Sequence, residues 1–347
     1  MDTRDTPEQA ELRRTARQLA RALGPRTVAD LDDAKRTRRL AEALRDAGWL
    51  ELRQEGEDGG PLASGVEAGI IADALGEAVA DVPFAGPMLA ADLARRAGTR
   101  SSDGAVVAFS SELIDVAVVS GPATTTTLYA VDCPAQGPAA AYALAPEGDG
   151  YRLAHVRVAG TSGGADLTRA IRPLPPGAPL LPVPDQSRLL TRADLDSWAT
   201  LGLALTSADL VGLMRGVLDL TVVYAQERRQ YGVAIGTFQA VQHLLAEARC
   251  LLEGAFSAAL YPSWAVDQLD PDEARTAARV AKAYSARAAR TVCETAVQVH
   301  GGMGNTWDCI VHVYLRRALL SSRWFGDDGE QLRQLQRTRL GVADGLS

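Results

Sequence analysis

The stretch Gln298–Asp308, "QVHGGMGNTWD", closes a long Ala- and Arg-rich run that reads as one helix, "DEARTAARVAKAYSARAARTVCETAV". Its glycines allow two readings. They can end the helix as a C-cap, or they can let bare backbone approach a ligand while successive N–H groups hold an anion. A dinucleotide fingerprint of the strand–turn–helix kind does not apply, because the glycines follow a helix. Gln298, Gly301 and Gly302 are therefore candidates for a phosphate or ribose contact.

A second constellation lies upstream. Glu227-Arg228-Arg229-Gln230-Tyr231-Gly232 is followed by Phe238-Gln239, where one long helix ends and the next begins. An arginine there can grip a pyrophosphate with two parallel hydrogen bonds. The spacing predicts that Gly232 releases the helix. The alternative is a solvated helix end whose arginines complement the dipole.

Outward from these segments the chain divides by composition. "PEQAELRRTARQLARALG", "DDAKRTRRLAEALRDAGW", "GVEAGIIADALGEAVADVPF" and "GPMLAADLARRAG" have apolar residues at helical spacing. Residues 1–103 are therefore expected to form a helical domain. Short runs rich in β-branched residues ("AVVAFS", "DVAVVS", "TTTTLYAVD", "YRLAHVRVAG") predict a small β domain over 104–172. Proline-rich 173–194 reads as an extended connector. From 195 to 347 four long helices predict an antiparallel bundle. The first of these, "WATLGLALTSADLVGLMRGVLDLTVVYAQERR", is apolar nearly all round. It should be buried on most sides, with oligomer contacts extending the bundle core. The fold class is α+β, mainly α.

The 347 residues carry 47% hydrophobic and 23% charged side chains with a net charge of -7. That charge speaks against nonspecific nucleic-acid binding, which needs a basic face. No apolar run is read as reaching membrane-spanning length, and the charged N-terminus lacks a signal-peptide core. A cytoplasmic location without membrane contact is the expectation. Cys133, Cys250, Cys293 and Cys309 form no CxxC pair. The last three read as helical, and all four as buried free thiols. Neither disulfides nor a metal site is implied.

Taken together, Arg-x-Gln-Tyr-Gly, Phe-Gln and Gln-x-x-Gly-Gly-x-Gly on an α–β–α chain resemble the acyl-CoA dehydrogenase family. The segment "HGGMGNTWDCIVHVYLRRA" is similar to short actinobacterial members that act on steroid side chains or other bulky acyl-CoA thioesters. The resemblance implies FAD. It implies that Arg228 contacts the FAD pyrophosphate, that Gln230 and Gln239 hold the cofactor beside Tyr231 and Phe238, and that Gln298, Gly301 and Gly302 face its adenosine diphosphate half. In the family these groups usually serve an FAD seated on a neighbouring subunit. An electron-transfer flavoprotein is the implied electron acceptor.

The same resemblance exposes a gap. The family's catalytic base is a glutamate after the last bundle helix or early in the first one. Ungapped alignment puts Gly326 and Gly202 at those positions. The Thr-Glu-Pro loop and Trp-Ile-Thr strand that cover the flavin ring have no counterpart between Ser101 and Arg172. The expected function is thus a base-lacking subunit that completes the FAD site of a homologous catalytic subunit in an α2β2 acyl-CoA dehydrogenase. Two alternatives stand beside it. One is a self-sufficient, homo-oligomeric dehydrogenase of acyl-CoA or carrier-bound acyl groups in a biosynthetic pathway, with Asp327 or Asp328 as an atypical base. The other is a scaffold without flavin.

Overall fold

A computed structural model describes residues 4–135, 137, 139–158, 160 and 163–340. The N-terminal region holds four helices. They are α1 (Pro7–Leu23), α2 (Ala34–Asp46), α3 (Gly65–Glu77) and α4 (Ala85–Arg96). Each of the first three begins at a side-chain cap: Thr6 with Gln9, Asp33, and Ser64 with Glu67. The middle region is a six-stranded sheet of β1 (Val106–Phe109), β2 (Leu128–Cys133), β3 (Ala139–Glu147), β4 (Gly150–Val158), β5 (Ala170–Leu174) and β6 (Leu180–Pro182). Their order is β5-β2-β1-β3-β4-β6, and only the β1–β3 pair is parallel. The segment "DVAVVS" makes only isolated bridges to Phe109 and Leu144. β6 comes from the proline-rich segment and pairs through three residues at the sheet edge, where missing N–H donors are tolerated.

The bundle is α5 (Arg192–Glu227), α6 (Gln239–Gln268), α7 (Pro271–His300), α8 (Val311–Arg323) and α9 (Asp328–Leu340). Between α5 and α6 lies a hairpin of β7 (Arg229–Gln230) and β8 (Val233–Ala234). The 36-residue α5 is the central helix. Among the described residues it is the one helix long and apolar enough to cross a membrane, contrary to the expectation from sequence. The physical reason lies in its packing, because 94% of its most apolar window is buried inside the fold.

α3 and α5 cross with almost no side chain between them. A Cβ on Gly212 or Gly216 would collide with the carbonyls of Asp73 and Glu77, and one on Gly76 with that of Asp209. Buried charges then tie the layers together. Asp209 accepts from Arg317 Nη2 and Ser321 Oγ, each at 2.7 Å, and pairs with Arg169 at 3.4 Å. Arg169 pairs in turn with Asp132 of β2 at 3.2 Å. The other oxygen of Asp132 caps the start of α4 through the N–H groups of Phe84 and Gly86. All three regions therefore meet in one network. Burial alone would raise the Asp209 carboxyl, but Arg169 and Arg317 hold it down at about 2.

The cysteines are free. Cys133, Cys293 and Cys309 are buried, whereas Cys250 is exposed on the outer side of α6, and Cys309 lies in the turn before α8 rather than in a helix.

Candidate functional site

The two constellations converge on one end of the bundle. α5 stops at Glu227, and Arg228 turns the chain outward in an extended conformation. Gly232 does not release the helix. It sits in the hairpin turn instead, where Tyr231 and Gly232 have φ of 52° and 83°, the sign pattern of a type I′ turn. At the far end of α7, Gly301 takes φ 62° and begins a 3₁₀ turn through Asn305. The two ends are locked by a ring pair that the sequence motifs did not reveal. Tyr224, one turn before Arg228, stacks on His300 with centroids 4.1 Å apart and planes at 16°. His300 Nδ1 lies 2.8 Å from the Ala296 carbonyl, and burial lowers its pKa.

The groups displayed there are uncommitted. Arg228, Arg229, Gln230, Gln239 and Gln298 are exposed, and among the described residues their side chains make no hydrogen bond or ion pair. A Cβ on Gly301 or Gly302 would meet nothing within 4 Å, so their backbone is open to an incoming group. Tyr231 is 94% exposed and packs edge-on against Phe238 at 6.4 Å. Met303 and Trp307 add further exposed apolar surface. Free guanidinium groups, free amides and bare glycine backbone on a fixed frame suit a diphosphate.

The opposite situation holds where a base is expected. Phe325 lies against Gly202 so closely that a Cβ on Gly202 would stand 2.1 Å from its Cζ, a severe clash. Phe109, Trp198, Trp324 and Phe325 form one buried aromatic cluster with centroid separations of 5.4 to 6.0 Å. Phe325 itself has φ 66°, an unfavourable conformation for a bulky residue. Its N–H donates to Leu113 O at 2.8 Å and its carbonyl accepts from Gln331 Nε2 at 2.7 Å, which hold it there. Gly326 follows with φ 87°. Asp327 and Asp328 do not face this cluster as a base would. Asp327 Oδ1 accepts from the Glu330 N–H at 2.9 Å and caps α9, and Asp328 is the first residue of that helix.

An α–β–α plan with exposed, unpaired arginines and amides and open glycine backbone at the bundle end is the arrangement expected of a flavoprotein dehydrogenase. Comparison with known proteins agrees. The family models for the acyl-CoA dehydrogenase N-terminal and C-terminal domains match residues 6–102 and 202–340. The chain belongs to the acyl-CoA dehydrogenase family, whose members are FAD-binding flavoproteins. It is 28% identical over 299 residues to the acyl-CoA dehydrogenase IpdE2 of Mycolicibacterium smegmatis, covering 86% of each chain. It is 38% identical over 143 residues to the acyl-CoA dehydrogenase FadE34 of Mycobacterium tuberculosis, a match spanning 39% of this chain but only 20% of that protein. Among solved structures, the ChsE4-ChsE5 complex from Mycobacterium tuberculosis has a chain that superposes with a TM-score of 0.73 at 23% identity, covering 100% of both chains. That likeness establishes the fold.

Proposed function

We propose that this chain is the base-lacking subunit of a heteromeric acyl-CoA dehydrogenase, and that it completes an FAD site belonging mainly to a homologous catalytic partner. One observation carries the proposal: Phe325 packed on Gly202, with Gly326 next to it. Both expected base positions lack a side chain, and the space between them is filled with aromatic rings. A proton cannot be taken from the substrate α-carbon without a general base within hydrogen-bond reach, and neither expected position offers one. No substrate can enter this space unless the cluster opens.

FAD, when bound, supplies the acceptor for the β-hydride of the acyl-CoA. The residues of this chain act only on its diphosphate end. Arg228 balances phosphate charge. Gln230, Gln239 and Gln298 orient polar oxygens, and the Gly301–Gly302 backbone offers N–H donors. The Tyr224–His300 stack keeps these groups in register. The resemblance of the chain to one partner of a named two-component complex supports the same reading.

Flavin stoichiometry tests it. The chain alone should retain little FAD and show no acyl-CoA oxidation. Co-expressed with a homologous catalytic acyl-CoA dehydrogenase subunit, it should yield an active assembly with one FAD per pair. A chain that purifies alone with full flavin and turns over an acyl-CoA overturns the proposal.

A further inference from the structure

A cavity of about 570 Å³ lies between α1, α3, α5 and α6, away from both sites described above. Its walls are mostly apolar, with Ile70 from α3, Val211 from α5, and Phe256, Leu260 and Trp264 from α6. Val211 stands nine residues after Gly202, so at about 100° per residue it faces the side of α5 opposite Phe325. At one end the cavity reaches Asp5 and Arg13. These two residues also border an open groove of about 700 Å³ along α1, lined by Arg13, Arg14, Arg17 and Arg21 of that helix and by Arg26 just beyond its end. An apolar hole thus adjoins an arginine-lined channel.

The charges at the junction do not balance. Asp5, Glu11, Asp73 and Glu77 are the carboxylates that pair with Arg13, Arg14, Arg17, Arg21 and Arg215. Arg26 has no ion pair among the described residues, and its Nη2 donates only to the Arg21 carbonyl at 3.3 Å. The groove itself is lined by five guanidinium groups and one carboxylate, Asp5, on a chain whose net charge is -7. Arg17, which lines the groove, is ion-paired with Asp73 at 3.3 Å and with Glu77 at 3.0 Å, and its buried Nε makes no hydrogen bond.

We infer that this composite site binds an amphipathic anion, with an apolar tail in the cavity and a carboxylate or phosphate head on the α1 arginines. The volume suits one chain of drug-like size. The site goes beyond the partner-subunit role, since it uses neither the cradle at the bundle end nor the aromatic cluster.

Calorimetric titration of the full chain tests the inference, with dodecanoate, dodecanoyl-CoA, CoA alone and dodecanol as probes. Dodecanoate or dodecanoyl-CoA should bind at least about tenfold more tightly than CoA or dodecanol, since both tail and head are needed. A preference for the fatty acid assigns a carboxylate head, and a preference for the thioester a phosphate head. Val66→Trp, which fills the cavity mouth, and the surface double variant Arg14→Glu/Arg26→Glu should each weaken binding by about tenfold. If Val66→Trp fails to fold, the double variant still decides, because both its positions are exposed. Absence of binding by both anionic probes, dodecanol binding as tightly as dodecanoate, or affinity unchanged in the double variant overturns the inference.

Discussion

Gly202 and Phe325 account for each other. A glycine in the middle of a helix costs roughly 0.5–1 kcal/mol relative to alanine, so its presence calls for a reason, and the Phe325 ring is that reason. Gly202→Glu would place a carboxylate at an expected base position only by expelling the ring. It should lower stability by roughly 1–3 kcal/mol or more and give the isolated chain no dehydrogenase activity. Thermal melting and an acyl-CoA assay read the two effects. An unchanged melting temperature would mean that the ring yields easily and does not block the site. A second residue titrates in an unusual range. Lys282 is fully buried on α7 and donates to the Ser321 carbonyl; burial pulls its pKa from 10.5 to about 7. The unfolded state then binds more protons between those values, so this group makes stability rise with pH from about 7 toward 10.5. Below pH 7 the full cost of a buried charge is present. Lys282→Met should therefore stabilise the fold most at pH 6, by roughly 1–4 kcal/mol, and progressively less by pH 9 in denaturant titrations. Arg228, and Gln298 with its glycines, could be picked out as candidates because each sits in a short contiguous motif. The network of Asp132, Arg169, Asp209 and Arg317 could not be, because its members come from distant parts of the chain and no spacing rule connects them.

At the scale of elements, the close crossing of α3 and α5 is the least forgiving feature. Gly212→Ala adds one methyl group against a backbone carbonyl that cannot rotate away. A loss of roughly 1–3 kcal/mol is expected, read as a lower urea midpoint with an unchanged slope. A neutral result would show that the helices can separate without cost. Helical periodicity made α1 through α8 readable, yet the four expected bundle helices leave out α9. Its first residues, Asp328-Gly329-Glu330, are poor or neutral helix formers, and its start depends on the Asp327 cap and on Gln331 reaching back to Phe325. β3 was also missed. "AAAYALAPE" lacks the β-branched residues that announce a strand, and its identity comes from nine paired positions along β4. "DVAVVS" shows the converse, a strand-like composition with only bridges to hold it.

For the whole molecule, the distribution of exposed apolar groups is the main argument for assembly. Tyr231, Val233, Phe238, Met303 and Trp307 are exposed at the bundle end, beside the uncommitted cradle. The interface hypothesis needs a test that separates assembly from folding, and Tyr231 offers one. At φ 52° before Gly232, a tyrosine is a poor turn residue, whereas Asn-Gly is the favoured type I′ pair. Tyr231→Asn therefore removes the ring while suiting the turn at least as well. The isolated chain should melt at the same temperature or slightly higher. If the ring is an anchor at a subunit interface, association with the catalytic partner should weaken by roughly 10–100-fold, and the assembly should lose FAD on dilution. Sedimentation velocity with absorbance at the flavin band reads both. An assembly that keeps its affinity and its flavin would show that a residue 94% exposed in the single chain stays exposed in the complex. The partner contact would then have to lie on another face.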